Sequence, residues 1–484
     1  VNKRNFLYLF FCFCLIALNA KATITLPKIL GDNMVLQRSA PVAIWGRADK
    51  GEKIVVKFGG QQKNAVADGE GTWMIWLDAM AASDKPRELM ISGSNTIVLK
   101  NILVGEVWLC SGQSNMEYTM MKESKFANAL HGTGIDSVAL KNERNPSIRL
   151  FLVKRDLTKG DAANVNKGWN EAEGESLRAF SAAGYFFAKK LFEELHVPIG
   201  MIGSSVSGSN IEPWMSGEIK NGNSPQTISV EESNPGKFYN GMIKPLAPFT
   251  LKGFLWYQGE TNCFLKEAPV YGFKFKHLIN SWRKLWNEGD APFYFVQIAP
   301  FEYSKNSGKV VLSDTDLPAF RQAQAEALLL PHTGMIVTTD LVDHIGDLHP
   351  TYKWEIGKRL ALLALAHDYG KKIEYSGPVL KAVQVKGNTI NISFDHVGAG
   401  IVSNNNEPLT WFEVAGSDGI YHPANAKIAQ DKTIVVSTAV SSPAFVRFAW
   451  NEAAQPNLFN NDGLPAVPFE RNVNKATVAK NKKD

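Results

Sequence analysis

Apolar and polar positions follow three successive rhythms along the chain. From residue 23 to about 103 the apolar runs are short and rich in β-formers: Val42 to Trp45, Ile54 to Phe58, Thr72 to Leu77 and Thr96 to Leu99. Gly, Asp and Asn turns separate them and no long helical period intervenes, which predicts a small all-β sandwich. From about 104 to 372 apolar runs alternate with amphipathic stretches. Val107 to Cys110, Ile199 to Ile202, Phe254 to Tyr257, Phe293 to Ile298 and Met335 to Thr338 read as strands. Leu177, Phe180, Phe187, Leu191 and Leu195 recur at helical spacing and stop at Val197-Pro198. Leu278, Trp282 and Leu285 mark a second helix, Phe320 to Leu329 a third, and residues 351–367 a fourth. Such alternation predicts an α/β domain, a parallel sheet with helices on both faces. From about 373 to 474 the β rhythm returns in Ala382 to Val385, Thr389 to Phe394, Thr410 to Val414, Thr433 to Val436 and Phe445 to Trp450. The expected order is a β domain (23–103), an α/β domain (104–372) and a second β domain (373–474).

The two ends change the charge balance. Lys3 and Arg4 precede the apolar run Phe6 to Leu18, and Ala20-Lys21-Ala22 supplies small residues where a signal peptidase reads. Residues 1–22 are therefore expected to be a signal peptide, and the protein to be secreted or periplasmic without stable membrane insertion. The small residues that precede a lipidated cysteine are missing before Cys12 and Cys14. Residues 475–484 form a basic tail, expected to be solvated. The whole chain carries a formal +5. Without Lys3, Arg4 and Lys21 it carries +2, and the tail supplies +3 of that through four lysines against Asp484, so the body stands near −1. A basic nucleic-acid face is not expected from such a body.

Four polar clusters follow strands of the middle domain: Ser114 after Cys110, Ser204 to Ser209 after Ile202, Gln258 to Asn262 after Tyr257, and Asp340 to His349 after Thr338. In open α/β sheets ligands bind beyond the carboxyl ends of the strands, so these clusters define the candidate site. Nucleophilic acyl chemistry needs a nucleophile, a base, an orienting acid and donors for an oxyanion. Ser114 suits the first role, His349 the second and Asp347 the third. The oxyanion candidates are the main-chain N–H groups of Ser114 and Gly208 and the side-chain amide of Gln258 or Asn262. Met116 stands where a Gly-x-Ser-x-Gly elbow needs glycine, which argues against the common α/β-hydrolase arrangement. Asp347 and His349 also suit a capped loop before a helix, a role compatible with catalysis. Glu260 reads as a buried brace rather than a base. Asp343, His344, Asp347 and His349 lack zinc-type ligand spacing, so no metal is expected. Cys110 and Cys263 read either as small buried apolar residues or as a disulfide joining the first and third clusters.

The residues around these clusters resemble a family. Gly105 to Glu117 (Gly-Glu-Val-Trp-Leu-Cys-Ser-Gly-Gln-Ser-Asn-Met-Glu) resembles the nucleophile block of the sialate O-acetylesterases, a branch of the SGNH hydrolases. Tyr239 to Ile243 and Trp256 to Asn262 are similar to their middle block, and Asp347-Leu348-His349-Pro350 to their acid–base block. Val446 to Trp450 and Asn457 to Ala466 extend the likeness to the C-terminal region. The resemblance implies an SGNH-type sheet and a Ser-His-Asp esterase, without cofactor, that removes acetyl groups from sugars. O-acetylated sialic acids are the first expected substrate and acetylated xylan or another plant polysaccharide the alternative. A non-catalytic glycan-binding role would suit the β flanks, and the intact Ser114, Asp347 and His349 argue against it. One departure stands out: Val206-Ser207-Gly208-Ser209 occupies the place of the family's Trp-Gly-Gly-Thr, with Ser207 in place of the first glycine. A sialic acid carboxylate also calls for an Arg or Lys near Ser114, which the sequence by itself does not single out.

Overall fold

The N-terminal segment holds strands β1 (Val35–Gln37), β2 (Val42–Arg47), β3 (Lys53–Phe58), β4 (Gln61–Val66), β5 (Thr72–Leu77) and β6 (Ser83–Ser92), and β3 and β5 bury alternate residues. In β3, Ile54, Val56 and Phe58 turn inward while Lys53 and Lys57 face solvent. In β5, Trp73, Ile75 and Leu77 are buried and Met74 and Trp76 are exposed. This period of two is what a sheet with one solvated face requires. The computed structural model of the protein describes residues 23–125, 134–153, 168–217, 235–306, 308–429 and 432–474. The expected signal peptide and basic tail lie outside the described residues.

Strand β7 (Thr96–Gly112) is 17 residues long and belongs to two layers at once. Its first part pairs antiparallel with β6. Its last part pairs in parallel with β10 (Ile199–Ser205) and β11 (Gly253–Tyr257). Burial switches accordingly: Thr96, Val98 and Lys100 are exposed, whereas every residue from Ile102 to Gly112 is buried. The expected boundary between 103 and 104 thus falls inside a continuous strand. The central sheet runs β13 (Thr333–Ile336), β12 (Phe293–Val296), β11, β7, β10, β8 (Arg144–Leu152), β9 (Asn170–Glu173). All its pairings are parallel except β8 with β9. The chain builds one side of β7 through β8 and β10, then crosses to the other side through β11, β12 and β13. That reversal leaves a crevice beyond the carboxyl ends of β7, β10 and β11.

Helices cover both faces: α1 (Ser114–Glu117), α2 (Ala182–Leu195), α3 (Glu260–Phe264), α4 (Ala268–Trp286), α5 (Asp316–Ala325) and α6 (Lys353–His367). The Ser181 hydroxyl caps α2 by accepting from the Gly184 N–H at 3.1 Å, and His196 ends it in a left-handed conformation before Pro198. Helices α2 and α6 cross closely at Gly357, where a side-chain carbon would lie 2.6 Å from the Ala183 carbonyl oxygen. No helix among the described residues is long and apolar enough to cross a membrane. The C-terminal segment forms two four-stranded sheets around its own core of Ile390, Ile392, Val414, Ile434, Val446 and Phe448. The architecture is thus the expected α/β sheet with β-sheet flanks.

Cys110 and Cys263 are both buried and unpaired. Burial pushes the Cys110 thiol up to about 12, which keeps it protonated and unreactive. A chain starting at residue 23 should titrate two thiols when denatured without reductant. A count of zero would restore the disulfide.

Candidate active site

Gly112 ends β7 between Ser205 and Tyr257 of the neighbouring strands. Its φ of +142° and the 2.0 Å from a hypothetical Cβ to the Tyr257 carbonyl oxygen exclude any side chain. The backbone turns at once into α1, which makes Ser114 its first residue. Among the described residues the Ser114 main-chain N–H meets no protein acceptor.

His349 lies on the loop between β13 and α6, 235 residues from Ser114, and its Nε2 is 2.9 Å from the Ser114 hydroxyl. Asp347 sits two residues earlier, but its Oδ1 accepts the main-chain N–H of His349 at 2.8 Å. The carboxylate therefore orders the loop, and no hydrogen bond joins it to the imidazole in this structure. Burial lowers the His349 pKa below its ordinary 6.5; the charges of Lys122 and Lys353 lower it further, and Asp347 opposes them. The ring is thus held neutral and able to accept a proton.

A cavity of about 520 Å³ opens over this pair, with Gln113, Glu117, Lys122, Ser207, Gly208 and Thr261 in its wall. Ser207 does not offer its N–H to the cavity: that group donates to Glu117 Oε2 at 2.6 Å, and its hydroxyl donates to the same oxygen at 2.5 Å. Gly208, at φ +71°, keeps an N–H without a protein acceptor among the described residues. The substitution of serine for glycine at 207 therefore adds a tie to α1 and leaves Gly208 as the main-chain donor of this loop.

The two side-chain amides expected at the oxyanion position lie elsewhere. Gln258 and Asn262 are fully buried and absent from the cavity wall. Gln258 Nε2 donates to Asn262 Oδ1 at 2.6 Å, and Asn262 Nδ2 donates to Glu267 Oε2 at 2.6 Å. Their donors are saturated within the protein, so both are braces. Gln113 does line the cavity. Its Oε1 accepts from Gln258 Nε2 at 3.2 Å and from the Gly259 and Thr261 main-chain N–H groups at 3.3 and 3.4 Å. That fixes the amide and leaves its –NH2 without a protein partner among the described residues. Sequence reasoning passed over Gln113, although its place beside Ser114 was a usable signal. Glu260 is a buried brace bonded to Asn115 Nδ2, and burial raises its pKa. Asp343 accepts from the Tyr352 hydroxyl, and among the described residues no three His, Cys, Asp or Glu side chains gather as a metal site.

Residues 104–366 match the family model described as carbohydrate esterase, sialic acid-specific acetylesterase. The chain is 29% identical to the sialate O-acetylesterase of Homo sapiens, with 91% of each chain covered. It is 29% identical to that of Mus musculus, with 90% of this chain and 92% of the other covered. Among solved structures it is similar to a carbohydrate acetylesterase from Xanthomonas citri, with 34% identity and a TM-score of 0.82 over 93% of this chain and 100% of the other.

Ser207→Gly keeps the main-chain bond to Glu117 and removes the hydroxyl one. An exposed bond of this kind contributes about 1 kcal/mol, and glycine adds its own entropic cost. Denaturant unfolding should show a loss of about 1–2 kcal/mol. An unchanged midpoint would mean that the Ser207 hydroxyl bond contributes nothing in solution.

Proposed function

The chain belongs to the sialic acid-specific acetylesterase family of carbohydrate esterases, and from that membership we propose that it hydrolyses O-acetyl esters of sialic acids through Ser114, His349 and Asp347. The observation that carries the reading is the 2.9 Å contact of Ser114 Oγ with His349 Nε2 in the wall of the cavity. Ser114 attacks the acetyl carbonyl carbon while His349 Nε2 takes its proton. The main-chain N–H groups of Ser114 and Gly208 and the Gln113 amide bind the oxyanion. The tetrahedral intermediate collapses, His349 returns the proton to the departing sugar oxygen, and acetyl-Ser114 remains. Water, deprotonated by His349, then releases acetate by the reverse sequence. Asp347 acts through charge and through the loop bond that sets the imidazole's position. Secretion or periplasmic residence belongs to the same proposal and rests on residues 1–22.

Lys122 supports an anionic substrate. It is exposed in the cavity wall, held over the Tyr118 ring at 4.4 Å, and has no carboxylate partner among the described residues. Glu117, the acid beside it, is already bonded to Ser207. The ammonium is thus the group available to a sugar carboxylate.

Ser114→Ala should lose about 10⁴-fold or more in kcat on O-acetylated sialic acid while remaining folded. Near-normal turnover by that variant removes the mechanism, and release of acetate from acetylated xylan in preference to sialate transfers the enzyme to neutral polysaccharides. Only neutral His349 accepts a proton, so activity is present above its pKa and lost as pH falls through it. The acid limb of kcat/KM should therefore lie below the ordinary histidine value of 6.5. A limb at or above that value contradicts a base held neutral. Lys122→Met, assayed well above the limb, should raise KM for O-acetylated sialic acid about 10-fold or more and leave that of an uncharged acetyl ester within about twofold. An equal effect on both substrates removes Lys122 from carboxylate recognition.

A further inference from the structure

Lys353, the first residue of α6, is fully buried and is not part of the cavity wall. Its ammonium donates to Asn115 Oδ1 at 2.8 Å and to the Pro350 carbonyl oxygen at 2.6 Å. The Tyr118 and Tyr257 rings lie 4.7 and 5.3 Å from it. Asn115 follows Ser114, and Pro350 follows His349. A second bond runs parallel, from Asn115 Nδ2 to the Leu348 carbonyl oxygen at 3.1 Å, on the other side of His349 in sequence. The main-chain N–H of Lys353 is itself anchored to Glu123 Oε1 at 3.0 Å. Burying a lysine carries a desolvation penalty, and an apolar side chain of similar volume would fill this space without it. It would also leave Asn115 Oδ1 and the Pro350 carbonyl without their donor. The charge therefore has a use that packing does not explain.

Building on the hydrolytic reading above, we propose that Lys353 is a positioning residue of the reaction: its ammonium joins the residue after Ser114 to the residue after His349. The groups facing His349 are Lys122 from the short helix Met120–Glu123, Lys353 from α6 and Asp347 from its own loop. Those facing Lys353 are Glu123, Glu260, Asp347 and Lys122. Burial pulls the Lys353 pKa down to about 7 against the opposing pull of Glu123, Glu260 and Asp347, so the group carries its charge in acid. Burial pushes Glu123 upward, so loss of the cation leaves a neutral carboxyl group rather than a bare buried anion. Loss of Lys353 removes a positive charge that disfavours imidazolium, so the His349 pKa rises.

The experiment is a pH profile of kcat and KM for the full chain and for Lys353→Met, Lys353→Arg, Asn115→Ala and the Asn115→Ala/Lys353→Met pair. Lys353→Met should lose about 100-fold in kcat with KM within about threefold, the loss expected from a displaced reacting pair. Its acid limb should move to higher pH. Lys353→Arg keeps the charge on a longer fork, so kcat falls while the limb stays in place. The double variant should lose less than the product of the two single losses, because both remove the bond between Asn115 and Lys353. Lys353→Met with kcat within about twofold of the parent, an unmoved limb or additive losses each overturn the proposal. If Lys353→Met does not fold, Lys353→Arg decides: parental kcat overturns the proposal, and a lowered kcat with an unmoved limb supports it. Normal turnover by Ser114→Ala would instead sink the hydrolytic reading itself.

Discussion

At Gly112 two neighbouring strands close on the backbone so tightly that no side chain fits between them. The Tyr257 carbonyl occupies the space a Cβ would need, and it accepts the Gln113 N–H at 3.0 Å. The Val206 N–H donates to the Gly112 carbonyl at 3.0 Å from the other side. The ends of β7, β10 and β11 are therefore locked together within one residue of the nucleophile turn. Ser114, Gln113 and the 206–209 loop take their places from that closure, and the cavity is the space left over them. Because β7 also runs back into the N-terminal sheet, the first β domain is anchored to the same strand that ends in the site.

Beneath the cavity a buried polar chain from Lys274 to Gln113 is bonded along its length. Lys274, fully buried, pairs with Glu212 and with Glu267 at 2.9 Å. Glu267 accepts from Asn262, which accepts from Gln258, which donates to Gln113. A chain of this sort is stable only when every member finds partners, since a half-satisfied buried network is worse than an apolar core. Here it transmits the rigidity of α4 to the amide beside Ser114. Gln258 and Asn262 thus support the Gln113 side chain from behind without reaching the cavity.

Much of this was legible in the sequence because it is local. The rhythm of apolar residues gave the strands and helices of the α/β domain, and four polar clusters after strand ends gave Ser114, Gly208 and His349. What the sequence concealed depends on saturation or on register. Whether Gln258, Asn262 or Gln113 keeps a donor for the cavity depends on which partners the other atoms of each amide find, and those partners lie far along the chain. Asp347 offered a carboxylate at a suitable spacing, yet a loop of two residues lets its oxygen reach the His349 main chain first. Strand β7 runs through the expected boundary although Asn101 takes φ +59° within it. The outer strands β8 and β9 carry charged and polar residues at the sheet edge, where alternation is weak.

The loop that carries His349 raises a different physical question, since residues 340–352 contain no regular structure and still have to hold one imidazole nitrogen within 2.9 Å of a hydroxyl. Its restraint comes from outside. The Gln455 side chain, from the C-terminal segment, donates to the Val342 carbonyl at 2.6 Å. Glu452, buried, accepts the Ser304 N–H at 2.8 Å, and the adjacent Glu302 N–H reaches Ile345 at 3.2 Å. Arg359 on α6 forks onto Asp340 at 2.8 and 2.6 Å at the start of the loop. Asn115 and Lys353 hold its far end. A loop fixed at both ends and in the middle loses little entropy when substrate arrives, because its ordering is already complete in the free protein. On this reasoning the C-terminal β segment is a structural partner of the site: its hydrogen bonds restrain the segment that carries His349.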